Sequence, residues 1–244
     1  MMTTRIFLAV SLALSGAAPS STPWDKAPEQ WDQADAYRIL RDSPWTPSEI
    51  KLEANGTQRH PDSQTGIASN STLNAGNTNP LHGIDINHDK PLPFVSILWW
   101  SSKTVRLAKQ RLFQLRNPSG TPRPLRADDI PDYVVAIEGS EQLRILRDAK
   151  EDLHDTVFLE LPDGLPLDLQ TIQFIEGAGE DDVRAEFHFA RQVEDRPLID
   201  PNAERVTFHC KATAKTPRQG EQNDISVRAE FHPNRMRVRN QPDF

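Results

Sequence analysis

The spacing of apolar positions changes along the chain, from helical near the N-terminus to alternating in the last third. Ala36, Ile39 and Leu40 fall on one helical stripe. Asp32 stands at the N-cap position, with Asp35 three residues on to complete a capping box. Ser43-Pro44 ends this helix, because proline lacks a donor and pushes the residue before it out of the α region. Trp31 and Trp45 flank the helix and Trp24 precedes it. It should therefore dock through Trp31, Ile39, Leu40 and Trp45, either on a sheet or on the next helix. Residues 94–100 form a short continuous apolar run, which reads as a strand buried on both faces. Ser102 then caps a helix to about Leu115, with Val105, Ala108, Leu112 and Leu115 as its core stripe. Lys103, Arg106, Lys109 and Arg111 lie on the remaining surface, as a solvated basic face or a face for an acidic partner. Residues 133–137 read as a strand and residues 140–153 as a short helix. From Thr156 the period is two: Val157, Leu159 and Leu161 alternate up to a turn at Asp163-Gly164. A strand around Ile172 and Phe174 follows, then three more near 183–191, 204–212 and 225–232. Together these elements predict an α+β, mostly β protein: an antiparallel sandwich or open barrel with a few short helices, one of them N-terminal.

Composition divides this plan into segments. The 244 residues are 36% hydrophobic, enough for one core-bearing domain with or without an appendage. Residues 46–92 are rich in Asn, Ser, Thr, Gly, Asp and Pro, and read as a polar flexible insert that buries too little apolar surface to offset its ordering entropy. The mostly β domain is expected over 93–244, and the Trp-rich helical segment over 18–45. Residues 1–17 read as a signal peptide. Arg5 supplies the positive end, residues 6–14 are apolar but too few to span a bilayer, and Ser15-Gly16-Ala17 places cleavage before Ala18. The expected location is periplasmic or secreted. Cys210 is the only cysteine, so an internal disulfide is excluded. The formal net charge of −7 disfavours non-specific binding to nucleic acid or anionic lipid.

The candidate chemistry lies on the late strands. The sequence from Val183 to His188 recurs from Val227 to His232, and Val206, Phe208 and Cys210 alternate in the strand between. By strand alternation, Val183, Ala185, Phe187 and Phe189 share a core face with Val206, Phe208, Cys210, Val227, Ala229 and Phe231. Arg184, Glu186, His188, Arg205, Thr207, His209, Arg228, Glu230 and His232 take the other face. His188, His209 and His232 are thus candidate zinc ligands, since three imidazoles with an open fourth position make a catalytic zinc site. The competing reading is a solvated face with cross-strand Arg–Glu pairs. A second candidate cation loop holds His82, Asp85, His88 and Asp89. Glu151-Asp152 and residues 180–182 read as solvated acids near turns, and Cys210 as a buried structural thiol. No nucleophile elbow, phosphate loop, His-Glu-x-x-His or Cys-x-x-Cys pattern occurs.

Three stretches carry a resemblance. The first comprises Pro23 to Lys26, Trp31, Asp35-Ala36, Ile39-Leu40 and Ser43-Pro44-Trp45; the second runs from Ser101 to Ala108; the third is the last strands with Phe231 and Met236. Together they resemble a family of small exported acidobacterial proteins with an N-terminal W…SPW motif. Thr104 stands where that family has proline, and no glycine closely follows Met236. The resemblance implies an exported bacterial protein and assigns no catalytic residue. The expected function is a non-enzymatic binding or envelope-interaction module, without a cofactor. The alternative is a zinc-dependent hydrolase using the histidine face. No nucleic-acid partner and no membrane span are expected.

Overall fold

The computed structural model describes residues 22–53, 96–118, 124–176, 183–218 and 223–244. The expected signal peptide, the candidate loop 82–89 and most of the polar insert lie outside these residues. The four helices described are α1 (Gln33–Arg41), α2 (Lys103–Arg116), α3 (Ser140–Asp148) and α4 (Leu153–Thr156). None of them is long and apolar enough to cross a membrane. The capping box of α1 forms as its sequence predicts: Asp32 accepts from the Asp35 amide at 2.7 Å, and Asp35 accepts from the Asp32 amide. The helix ends at Arg41, just short of Ser43-Pro44.

Eight strands make one antiparallel sheet. They are β1 (Glu49–Glu53), β2 (Ser96–Trp99), β3 (Tyr133–Glu138), β4 (Val157–Glu160), β5 (Pro166–Ile175), β6 (Arg184–Phe189), β9 (Val206–Thr213) and β10 (Asp224–Phe231). Two small hairpins, β7 (Gln192–Val193) with β8 (Arg196–Pro197) and β11 (Arg237–Val238) with β12 (Gln241–Pro242), stand apart from it. The order across the sheet is β1-β10-β9-β4-β5-β6-β3-β2. Gly164, at φ +81°, makes the β4–β5 turn expected at Asp163-Gly164.

Two aromatic contacts reveal how far the sheet curls. Trp99 of β2 and Phe231 of β10 have ring centroids 5.1 Å apart. Their strands are six positions apart in the order, about 29 Å in a flat sheet with 4.8 Å spacing. Phe187 of β6 meets Phe208 of β9 at 5.3 Å across two intervening strands. The sheet is therefore an open half-barrel with these rings on its concave face. The predicted core face is this one: Ala185, Phe187, Phe189, Val206, Phe208, Cys210, Val227, Ala229 and Phe231 are all buried. Helix α3 packs into the concavity against strands from both halves, adding Leu143 and Leu146.

On the convex side, α1 and α2 cover the β6-β3-β2 end. This is why Val134, Ala136 and Leu98, which face away from the barrel interior, are fully buried. Of the four basic residues on the predicted α2 face, three turn inward, while Lys103 stays exposed beside Asp129. Lys109 pairs with Glu138, Arg111 donates to the Trp31 carbonyl, and Arg106 donates to the Ser101 and Ser102 carbonyls.

The polar insert differs from expectation at its start. Glu49–Glu53 is β1, paired antiparallel along β10 from Glu49↔Glu230 to Glu53↔Ser226. Just before it, the stretch after α1 closes the open seam of the half-barrel. The Trp45 carbonyl accepts from the Trp99 amide of β2, and the Ser48 amide donates to the Glu230 carbonyl of β10. Trp45 is fully buried, edge-on to Trp24 at 5.5 Å, and its indole Nε1 donates to the Asp243 carbonyl.

Candidate functional site

Strand register decides the fate of the three histidines. Alternation places His188 and His209 on the convex face as predicted, and His232 lies one residue past the end of β10. His209 on β9 and His188 on β6 have β4 and β5 between them, three spacings or about 14 Å. His209 lies opposite Arg228, whereas His232 follows Phe231 at the far end of β10, about 10 Å along the strand and beyond. A zinc ion holds its ligands at about 2 Å. The structure thus does not bring these histidines into one coordination sphere. Among the described residues, no group of three or more His, Cys, Asp or Glu side chains is arranged to hold a metal ion.

Each histidine instead has its own acid. His209 Nε2 lies 2.8 Å from Glu160 Oε2, and its ring stacks on Phe158 at 4.6 Å. His232 Nε2 lies 3.7 Å from Glu230, and its Nδ1 contacts the Glu204 carbonyl. His188 is buried beside two acids. Its Nδ1 is 3.1 Å from Asp132 Oδ2, and its Nε2, with no hydrogen-bond partner, is 3.7 Å from Glu186 Oε2. Glu186 and Asp132 together outweigh burial and raise the His188 pKa. Burial alone would raise the Glu186 carboxyl, but His188 and Arg184 hold it below the ordinary glutamate value. Arg184 Nε donates to Glu186 at 2.6 Å, and its guanidinium lies 3.9 Å from the Trp100 ring centroid. The expected solvated Arg–Glu face is therefore buried where α2 covers it, while Arg205 and Glu230 form an open cross-strand pair at 3.9 Å.

Cys210 is inert. Burial pushes its thiol up to about 12, so it does not ionise near neutral pH. Glu151 is a solvated acid, as expected, and accepts from Lys215 at 2.7 Å.

The described cleft lies beside this buried cluster, at the start of α2. It has a volume of about 440 Å³, within the range of small-molecule sites. Its lining comes from four distant parts of the chain: Ser101 and Lys103 at the α2 N-terminus, Asp129 to Pro131 before β3, Arg191 and Gln192 after β6, and Pro242 to Phe244. No known family, curated protein or solved structure matches the chain. The functional reading therefore rests on this cleft's own geometry.

Arg191 is braced within the lining. Its Nη1 donates to the Phe244 carbonyl, its Nη2 to the Asp132 carbonyl at 3.1 Å, and its guanidinium lies 4.7 Å from the Tyr133 ring centroid. Lys103 pairs with Asp129 at 2.8 Å, with side chains 47% and 88% exposed. Asp243 is committed elsewhere. Its carboxylate accepts from the Lys103 amide at 2.9 Å, the Thr104 amide at 3.0 Å and the Ser102 hydroxyl at 2.8 Å, capping α2. The sequence reading had placed Lys103 on a basic helix face but had no sign of Asp129, Arg191 or Asp243, which only the fold gathers.

Proposed function

We propose that this protein is an exported, non-enzymatic binding module, periplasmic or secreted, and that the cleft at the α2 N-terminus is its ligand site. The observation that carries this reading is the braced Arg191 beside the exposed Lys103–Asp129 pair in a cleft of ligand size. A guanidinium stays protonated at any ordinary pH, so it can orient a ligand but cannot shuttle protons. Its anchoring to two carbonyls reduces the ordering cost of binding. Export is supported by the residue pattern of positions 1–17.

Two measurements test the proposal. N-terminal sequencing of the secreted or periplasmic form should begin at Ala18. A thermal-shift screen of small carboxylates, phosphates, amino acids and sugars should raise the Tm of the wild-type protein, and Lys103→Ala should lose that rise. A screen in which no compound shifts the Tm, or one in which the shift survives Lys103→Ala, removes the cleft as the binding site.

A further inference from the structure

The charges lining the cleft are unequal in their freedom. Asp243 has both carboxylate oxygens engaged by the start of α2. That leaves Asp129 as the one lining carboxylate not held by the start of α2, while Asp243 keeps its charge near Arg191. Arg191 is fixed by main-chain carbonyls, whereas Lys103 and Asp129 hold only each other at the solvent edge. An exposed pair of this kind adds little to stability, so separating it costs little. A ligand that brings both an ammonium and a carboxylate replaces the pair one for one: its carboxylate takes Lys103 and its ammonium takes Asp129. A plain carboxylate leaves Asp129 without its partner, and a plain amine leaves Lys103 without one. The remaining lining is mixed: Ile130, Pro131, Pro242 and Phe244 stand beside Ser101 and Gln192.

We infer that the cleft takes a free α-amino acid, read at its two charged ends by Lys103 and Asp129. The inference rests on the cleft being the binding site. Leucine is a suitable probe, because 4-methylpentanoate is the same molecule without its ammonium and 3-methylbutylamine is the same molecule without its carboxylate. Titration calorimetry on the purified protein should find leucine bound about tenfold or more tighter than either half. Asp129→Asn should reduce leucine to the affinity of 4-methylpentanoate, and Lys103→Met should reduce it to that of 3-methylbutylamine. Both side chains are exposed, so unchanged unfolding midpoints serve as the control for folding. If 4-methylpentanoate binds as tightly as leucine, and Lys103→Met weakens both equally, the cleft is an anion site: the amino-acid inference fails and the binding reading stands. If leucine binds with an affinity that neither substitution alters, the inference and the cleft assignment fail together.

Discussion

His188 has a side chain only 10% exposed, between Asp132 and Glu186, with Arg184 beyond Glu186. The sign of its effect follows from its raised pKa. Protonation favours the folded state, so its contribution is complete below the ordinary histidine value of 6.5 and is lost as pH rises through the folded-state value. Glu186 works in the opposite sense. Its lowered pKa stabilises above the ordinary value of 4.5, and that contribution is lost as pH falls through the folded-state value. Both contributions are present between about pH 4.5 and 6.5. The urea midpoint of the wild-type protein should therefore fall as pH rises above 6.5, and His188→Gln should flatten this decline. An unchanged decline in that variant would assign it to other groups. A sequence can place His188 beside Glu186 on the outer face by alternation alone. It cannot show that α2 buries that face, or that Asp132 comes within hydrogen-bond reach.

At the scale of elements, legibility followed distance along the chain. The α1 cap was readable because both of its members lie within four positions of each other. The α2 cap was half readable: Ser102 accepts from the Val105 amide, but Asp243 arrives from about 140 residues away. Asp243→Ala should cost about 1 kcal/mol, up to about 2, through loss of the cap. Asp243→Asn keeps one acceptor oxygen but turns an NH2 toward the other donors, so it should recover only part of it. Denaturant midpoints of the two variants provide the comparison, and full recovery by Asn would show that neither the charge nor the second acceptor matters. β1 escaped the sequence reading for a related reason. Its five residues, with apolar Ile50 and Leu52, give too short an alternation to stand out from a polar stretch, and its pairing is supplied by β10. The hairpin turns at Glu194-Asp195 and Arg239-Asn240 were also missed. All four residues adopt positive φ without glycine, so the usual turn signal is absent.

For the whole molecule, alternation identified the core face of the late strands, and a mostly β sandwich or open barrel was foreseen. Which of the two it forms was not legible, because strand order depends on pairings between distant segments that periodicity does not encode. Strand order is also what separates the three histidines. Trp45→Ala tests the closure of the seam directly. Removing this fully buried ring should cost about 3–5 kcal/mol, read as a lower denaturant midpoint. Loss of binding at unchanged stability would instead place Trp45 in the ligand site. The seam also carries a kinetic consequence. The Trp45 indole and the Asp243 carbonyl lie 198 positions apart, and β1 can pair only after β10 exists. The length-dependent entropy of closing so long a loop is about 4–5 kcal/mol, which no local contact repays beforehand. The last stitch of the barrel therefore comes late in folding, and a fragment ending before β10 lacks the strand on which β1 forms.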